Sequence, residues 1–357
     1  MIFWIVLFLS TFLVTILSIG KPYTQRHRLF TILCIILIAL SSLRCGLGED
    51  YLGYVEKISY YNNLSDISIF SEPIFVLIAC IVNWTSLTPA FFFCIMAVIT
   101  IGGIFSFYNR EENKYLPLTV IFFVLFPALF FNTLNIVRQF AAAGIFFYSL
   151  KYVENRKILP YFICIIMASL LHFSSIILLP FYFFISKSFS RITIVLFLFI
   201  GLVLSTAMPS VFSFLEQAKL YTVYIDDGVE MGSSSVIILY NILLLLCLIQ
   251  RSKINNAYDT ISFNLLLFLV ILSDMSYVNF YFYRLSVFFM PIAAYMLPKT
   301  IGDMFGRKIS IAATVFISVG LFLVFFIPNM GNPLVVRDQL LPVSSIFDEA
   351  IYRTYIR

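Results

Sequence analysis

Apolar residues come in long blocks separated by short polar punctuation. The blocks run approximately over 2–19, 29–43, 87–107, 116–132, 135–150, 158–171, 174–186, 192–208, 234–250, 260–273, 284–298 and 309–327. A helix rising about 1.5 Å per residue needs about 20 apolar residues to cross a hydrocarbon core about 30 Å thick. Read this way, the blocks predict twelve passes. A further apolar stretch at 73–84 follows a polar loop. It is expected to lie against the membrane surface or to dip in without crossing. The fold expected is therefore all-α: a polytopic integral membrane protein, one domain over 1–357, with an external tail at 329–357. No internal repeat or low-complexity stretch interrupts it.

Composition agrees with lipid as the solvent. The 357 residues are 61% hydrophobic and only 11% charged, with mean hydropathy +1.00. Soluble domains carry about 25% charged residues. That excludes a soluble enzyme, a disordered chain and a nucleic-acid binder, and a net charge of +5 is too small and dispersed to suggest nucleic acid. The six cysteines have neither disulfide-framework nor metal-ligand spacing, and most read as small buried apolar residues. Met1 to Ile19 lacks the basic start and small-residue cleavage site of a signal peptide, so it reads as a retained first span.

Basic residues give the orientation, because cytoplasmic loops are enriched in Lys and Arg. With the amino terminus outside, the inner loops hold Lys21, Arg26, Arg28, Arg110, Lys114, Lys151, Arg156, Lys157, Lys187, Arg191, Arg251, Lys253, Lys299, Arg307 and Lys308. These are fifteen of the 23 basic residues. Acidic residues divide the other way, with 13 of 18 outside. Both termini are expected on the outer side of the membrane.

Several blocks are short. Residues 174–186 would reach only about 20 Å as an α-helix, so the turn at Leu171-His172-Phe173 is expected to sit below the outer surface. Blocks 260–273 and 284–298 are similarly brief. Non-helical backbone at such depth is tolerated against protein or a water-filled cavity. An outward-facing polar cavity is therefore expected.

Ionisable groups at membrane depth are costly and usually functional. Arg44 ends one block, Arg138 and Gln139 open another behind Asn135, and Arg284 opens a late one. His172 lies in the sunken turn, and Glu49, Asp50, Glu72 and Asp274 share that side. Guanidinium groups bind phosphate oxygens bidentately and keep their charge at any pH. Three facing outward would suit the head group of a polyprenyl-pyrophosphate sugar. There the leaving pyrophosphate needs fixed cations. An attacking sugar hydroxyl needs a base or an orienting acceptor, for which His172, Glu72 and Asp50 are candidates. Each residue also has a plain structural reading. An arginine at a span end can snorkel to lipid phosphates, and Glu72 before Pro73 can be an ordinary acid at a helix start. Asp226-Asp227-Gly228 reads as turn chemistry. The aromatic wealth is mostly lipid-facing, though Tyr51 and Tyr54 offer rings on which sugars can stack.

These segments together resemble the EpsG-like family, polytopic proteins related to Wzy O-antigen polymerases. Arg44-Cys-Gly-Leu-Gly-Glu-Asp50-Tyr51-Leu-Gly-Tyr54 is similar to the family's opening loop, and Glu72-Pro73-Ile-Phe75 to its E-P-x-F segment. Asn135 to Ala141 resembles its N-x-x-R-Q-x-x-A helix start, His172-Phe-Ser174 with Pro180 its hairpin, and Arg284 with Pro291 its late arginine. The resemblance extends over about 40–300. The tail's Leu341-Pro342-Val343 only approaches the proline-tyrosine often seen there.

The resemblance implies a glycosyltransferase that moves a glycan chain from undecaprenyl pyrophosphate to a fresh lipid-linked repeat unit. By that analogy Arg138 and Arg284 hold the pyrophosphate with help from Arg44. His172, Asp50 or Glu72 activates the acceptor hydroxyl, and Tyr51, Asn135 and Gln139 position the sugars. No cofactor or metal is required, although Glu49-Asp50 leaves room for a divalent cation. Expected partners are the lipid-linked oligosaccharide, membrane lipids and a separate chain-length regulator. Rival readings are an O-antigen ligase, a membrane acyltransferase, a lipid-linked sugar flippase and a structural membrane protein. A flippase would favour internal repeats and charges near the midplane.

Overall fold

A computed structural model describes residues 2–48, 50–63, 72–217, 234–254, 256–277, 280–329 and 344–345. Glu49, the Asp226-Asp227-Gly228 turn, Lys219 and most of the tail, with Leu341-Pro342-Val343, lie outside the described residues.

The chain is almost wholly helical. In order it forms α1 (Ile2–Ser18), α2 (Tyr23–Leu43), α3 (Tyr51–Tyr60), α4 (Pro73–Trp84), α5 (Ala90–Tyr108), α6 (Leu116–Leu125), α7 (Phe130–Asn135) and α8 (Val137–Glu154). Then come α9 (Ile158–Leu171), a 3-10 segment (Phe173–Phe181), α10 (Tyr182–Ile185), α11 (Arg191–Gln217) and α12 (Ser234–Ile249). The last are α13 (Ala257–Ser276), α14 (Phe280–Val287), α15 (Pro291–Phe305) and α16 (Arg307–Asn329). Two short strands, β1 (Arg44–Cys45) and β2 (Ser344–Ser345), pair antiparallel with Arg44 opposite Ser345. A piece of the tail thus returns to the loop after α2.

The chain is a multi-pass membrane protein. Among the described residues, α2, α5, α13 and α16 are long and apolar enough to cross a membrane unaided. The bent pair α14–α15 makes a fifth if it is counted as one span. The twelve-pass expectation exceeds this for two reasons: among the described residues seven further apolar helices are only 10–17 residues long, and some blocks are broken. The block 116–132 is divided: α6 stops at Leu125, and Phe126 takes φ −78°, ψ 114° before Pro127. A residue preceding proline is pushed out of the α region in this way. The block 284–298 is also divided, into α14 and α15, which meet at 66° with Pro291 opening the second helix. Block 135–150 starts with Asn135 still in α7, and Ile136 at ψ 58° marks the step into α8.

Block 174–186 is a 3-10 segment followed by one α turn. A 3-10 helix rises about 2.0 Å per residue. The thirteen residues therefore reach about 24 Å, more than the α-helix expected there. By contrast α9 occupies 158–171 as expected, and α4 is the 12-residue helix expected from the stretch at 73–84. At about 18 Å it is too short to cross.

Helix α8 organises the site, packing between α5 and α9. Its approach to α5 is closed by glycine on both sides. A Cβ on Gly103 would lie 2.1 Å from the Gly144 carbonyl oxygen, and one on Gly144 would lie 2.5 Å from that of Ile99. Small residues let helix backbones meet closely in lipid, where burying apolar area gives little gain. All of α6 is buried, beside α1, α15 and α16. The outward faces of α1, α11 and α16 carry exposed apolar residues such as Leu9, Ile192 and Phe316, as lipid-facing helices should.

On the face expected to be inner, some of the charges are paired. Arg110 meets Glu154 at 2.6 Å, and Lys299 lies 2.8 Å from Asp303 and 3.5 Å from Asp259. This ties the turn after α5 to α8, and the Lys299–Asp259 contact ties α15 to α13.

Candidate functional site

Three short breaks in helix bring the unusual charges together. The first lies before α4. Glu72 has φ 56°, ψ 74°, a left-handed conformation that costs a non-glycine residue about 1–3 kcal/mol. Pro73 then starts the helix. The second is the step at Ile136, which places Arg138 in the first turn of α8. The third is His172, whose extended φ −151°, ψ 107° ends α9.

These breaks converge on one carboxylate. Glu72 Oε2 pairs with Arg138 Nη1. Its Oε1 sits 2.8 Å from His172 Nδ1 and 3.3 Å from the Phe173 backbone N–H, which donates to it. The group is only partly sealed: side-chain exposure is 13% for Glu72 and 20% for each partner. Burial alone would push the Glu72 carboxyl up. The His172 hydrogen bond and the Arg138 charge outweigh that and hold it below its ordinary value. The strained residue is kept in place by its contacts.

Arg138 rests on an aromatic floor, its guanidinium carbon 4.8 Å from the Phe75 ring centre and 5.4 Å from that of Tyr54. The Tyr54 hydroxyl also accepts from the Arg138 backbone N–H at 3.5 Å. Cation–π contact of this kind fixes a guanidinium without consuming its hydrogen-bond donors. Among the described residues, Arg138 Nε is buried with no protein partner.

Gln139 carries the network to Arg284. It is buried, and its Nε2 donates to the Arg284 carbonyl oxygen, joining α8 to α14. The Arg284 side chain is exposed. Asp50 lies within electrostatic reach of Arg284, Lys57 and Arg138: burial pushes its carboxyl above the ordinary value and these three cations oppose the shift. The Asp50 backbone N–H donates to Asn135 Oδ1 at 3.0 Å, fixing the opening loop on α7.

Arg44 is placed differently from Arg138. It is 3% exposed. Its donors go to the carbonyls of Ser41, Leu47 (3.2 Å) and Leu134 (2.9 Å), and its guanidinium carbon stacks 4.4 Å over Phe93. The structure commits this arginine to holding the 44–48 loop against the end of α7. Gly48, at φ +101°, allows that approach, since a Cβ there would stand 2.9 Å from the Leu134 carbonyl oxygen. A recess beside Arg44, lined also by Ser41, Thr100 and Thr133, has about 10 Å3 of room. That suits one water molecule rather than a sugar. Tyr51 is buried against Phe93, with ring centres 5.0 Å apart and planes at 14°. Its ring face belongs to the core rather than to a sugar platform.

Of the residues singled out in the sequence, Glu72, His172, Arg138, Gln139, Arg284 and Asp50 thus form one connected neighbourhood. Asn135, Arg44 and Tyr51 support it from behind. The reading of the sequence missed the aromatic floor, although Phe75 stood in plain view three residues after Glu72. It also missed the use of Gln139 as a helix-to-helix tie, which no spacing signals. Among the described residues, no cluster of His, Cys, Asp or Glu could hold a metal ion.

The chain was compared with known proteins. The family model described as the EpsG family matches residues 27–345, so the chain belongs to that family. No curated protein and no solved structure matches it.

Proposed function

With membership of the EpsG family as the premise, we propose that this chain is a surface-polysaccharide polymerase of the Wzy kind. It transfers a growing glycan from undecaprenyl pyrophosphate to the sugar of a lipid-linked repeat unit, on the outer face of the bacterial cytoplasmic membrane. Its passes then run close to twelve, counting broken helices as crossings, and both termini lie outside. The observation that carries the reading is the chain of contacts from His172 through Glu72 to Arg138, continued by Gln139 to Arg284.

In this reading Arg138 and Arg284 hold the donor pyrophosphate. Glu72 accepts from His172 Nδ1, which leaves Nε2 as the basic nitrogen facing the acceptor. The acceptor hydroxyl gives its proton to Nε2 while its oxygen bonds to the anomeric carbon. The bond from that carbon to the phosphate oxygen breaks, and the electron pair leaves with the lipid pyrophosphate. The arginines take up that charge, so the reaction needs no cofactor or metal. Asp50 tunes the field around Arg284. Arg44 and Asn135 shape the loop that carries it, and Tyr51 anchors that loop. The lipid tail stays in the bilayer throughout. Chain length is left to a separate regulator.

Arg138→Ala and Arg284→Ala should each abolish long chains while the protein still inserts. Surface polysaccharide run on a gel reads this directly. Wild-type ladders from both variants would refute the site.

A further inference from the structure

A second group of polar side chains lies beside the anion site, on α7 and α14 and on the neighbouring α12 and α13. Asn132 is one helical turn before Asn135 on α7, and Tyr283 immediately precedes Arg284 on α14. Asn132 Nδ2 donates to the Tyr283 hydroxyl at 3.0 Å. Tyr240 on α12 is within electrostatic reach of Tyr283, and its neighbour Asn241 donates to Asp274 Oδ1 on α13 at 2.7 Å.

Tyr240 in this group, and Ser273 next to Asp274 in the chain, are orphans. Tyr240 is 1% exposed and Ser273, beside Asp274, is 3% exposed. Among the described residues, neither hydroxyl has a partner. A buried hydroxyl without a hydrogen bond is costly, more so where the surrounding solvent is lipid. Such a hydroxyl is open to a partner that a ligand brings.

The chemistry of the group identifies that ligand. It offers amides, phenols and one carboxylate, and it contains no cation. A phosphate would be repelled by Asp274. A neutral polyol, whose hydroxyls both donate and accept, matches amides and phenols well. We propose that Asn132, Tyr240, Asn241, Asp274 and Tyr283 bind the sugar ring joined directly to the pyrophosphate held by Arg138 and Arg284. The proposal rests on the polymerase reading, because α7 and α14 place the two groups side by side. The consequence is a division of labour: the arginines read the lipid pyrophosphate, and the Asn132–Tyr283 wall reads which sugar it carries.

The test is a binding comparison on purified full-length protein. One probe is undecaprenyl pyrophosphate bearing no sugar. The other is the same lipid carrying the repeat unit from the source organism. Tyr240→Phe and Tyr283→Phe each remove one oxygen, and Tyr240→Phe removes one that bonds no protein group. Each should weaken the sugar-bearing probe about 3- to 10-fold, the worth of one hydrogen bond. Binding of the bare lipid should stay unchanged, and Tyr240→Phe should melt no lower than wild type, since it removes a hydroxyl that the free protein leaves unpaired. Equal effects on both probes, or none on either, would overturn the sugar wall and leave the pyrophosphate site standing. A wild-type protein that binds neither probe would overturn both.

Discussion

Replacing Glu72 by glutamine tests the centre of the site with little change in shape. The amide keeps an acceptor for the Phe173 N–H but gives up the charge that holds Arg138 and His172. Removing one partner of a fully buried ion pair costs about 3–5 kcal/mol. Here the partners retain 13% and 20% exposure, so water recovers part of that. The expected loss is about 2–3 kcal/mol. The backbone at Glu72 stays left-handed in the variant, so no strain is relieved to offset it. A double-mutant cycle with Arg138→Gln, followed by thermal unfolding in detergent, isolates the pair. A coupling of about 1.5–3 kcal/mol is expected, and one below about 0.5 kcal/mol would show that the pair contributes nothing specific. The pH dependence gives a second reading. The folded carboxyl is held below its ordinary 4.5. Its contribution is therefore fully present above 4.5 and is lost as pH falls through the lower folded value. Wild type should lose more stability than Glu72→Gln over that acid range, and parallel pH curves would contradict the assignment.

Substitutions at three further positions have defined outcomes. Arg44→Ala, and equally Arg44→Lys, should reduce the amount of folded protein by about 2–4 kcal/mol in stability, because no lysine reaches three carbonyls and a ring together. The fraction that folds should still bind undecaprenyl pyrophosphate, as a filter-binding assay would show. Asp50→Asn should raise stability slightly at neutral pH: a carboxyl pushed up by burial opposes folding once ionised, and the penalty disappears as pH falls through its raised value. The same variant should still make shorter chains on a gel if Asp50 tunes the field around Arg284. Gly144→Val should prevent α8 from closing on α5, where even a Cβ meets the Ile99 carbonyl at 2.5 Å, and protein should fail to accumulate in membranes.

The fold class and helices such as α1, α9 and α12 were legible because lipid imposes block length and polarity alone. Lys157 and His172 bracket α9, so both its ends could be read. The breaks were harder. Pro127 and Pro291 stand inside continuous apolar blocks, and proline is common enough in membrane helices that its presence does not tell a kink from a break. The 3-10 winding of 173–181 has no composition signal beyond Pro180, which by itself does not tell 3-10 from α. At the site, the charges were visible as exceptions to sidedness. Their roles were separable only in three dimensions. Arg44 and Arg138 look alike in sequence, yet one spends its donors on backbone carbonyls and the other faces a carboxylate. Tyr51 and Tyr54 looked like sugar platforms, whereas their rings pack against Phe93 and beneath Arg138. Asn132 and Asn241 sat unremarked in apolar helices, and only their partners on α14 and α13 give them meaning.

In the proposed reaction, protein cations alone carry the pyrophosphate through glycosyl transfer. Purified protein, supplied with lipid-linked repeat units and a chelator, tests it in a single reaction. Single units should become a ladder of longer lipid-linked glycans, and Arg138→Gln and Arg284→Gln should leave them as single units. Units that stay unchanged with wild-type protein, or ladders that persist in both variants, would contradict the account.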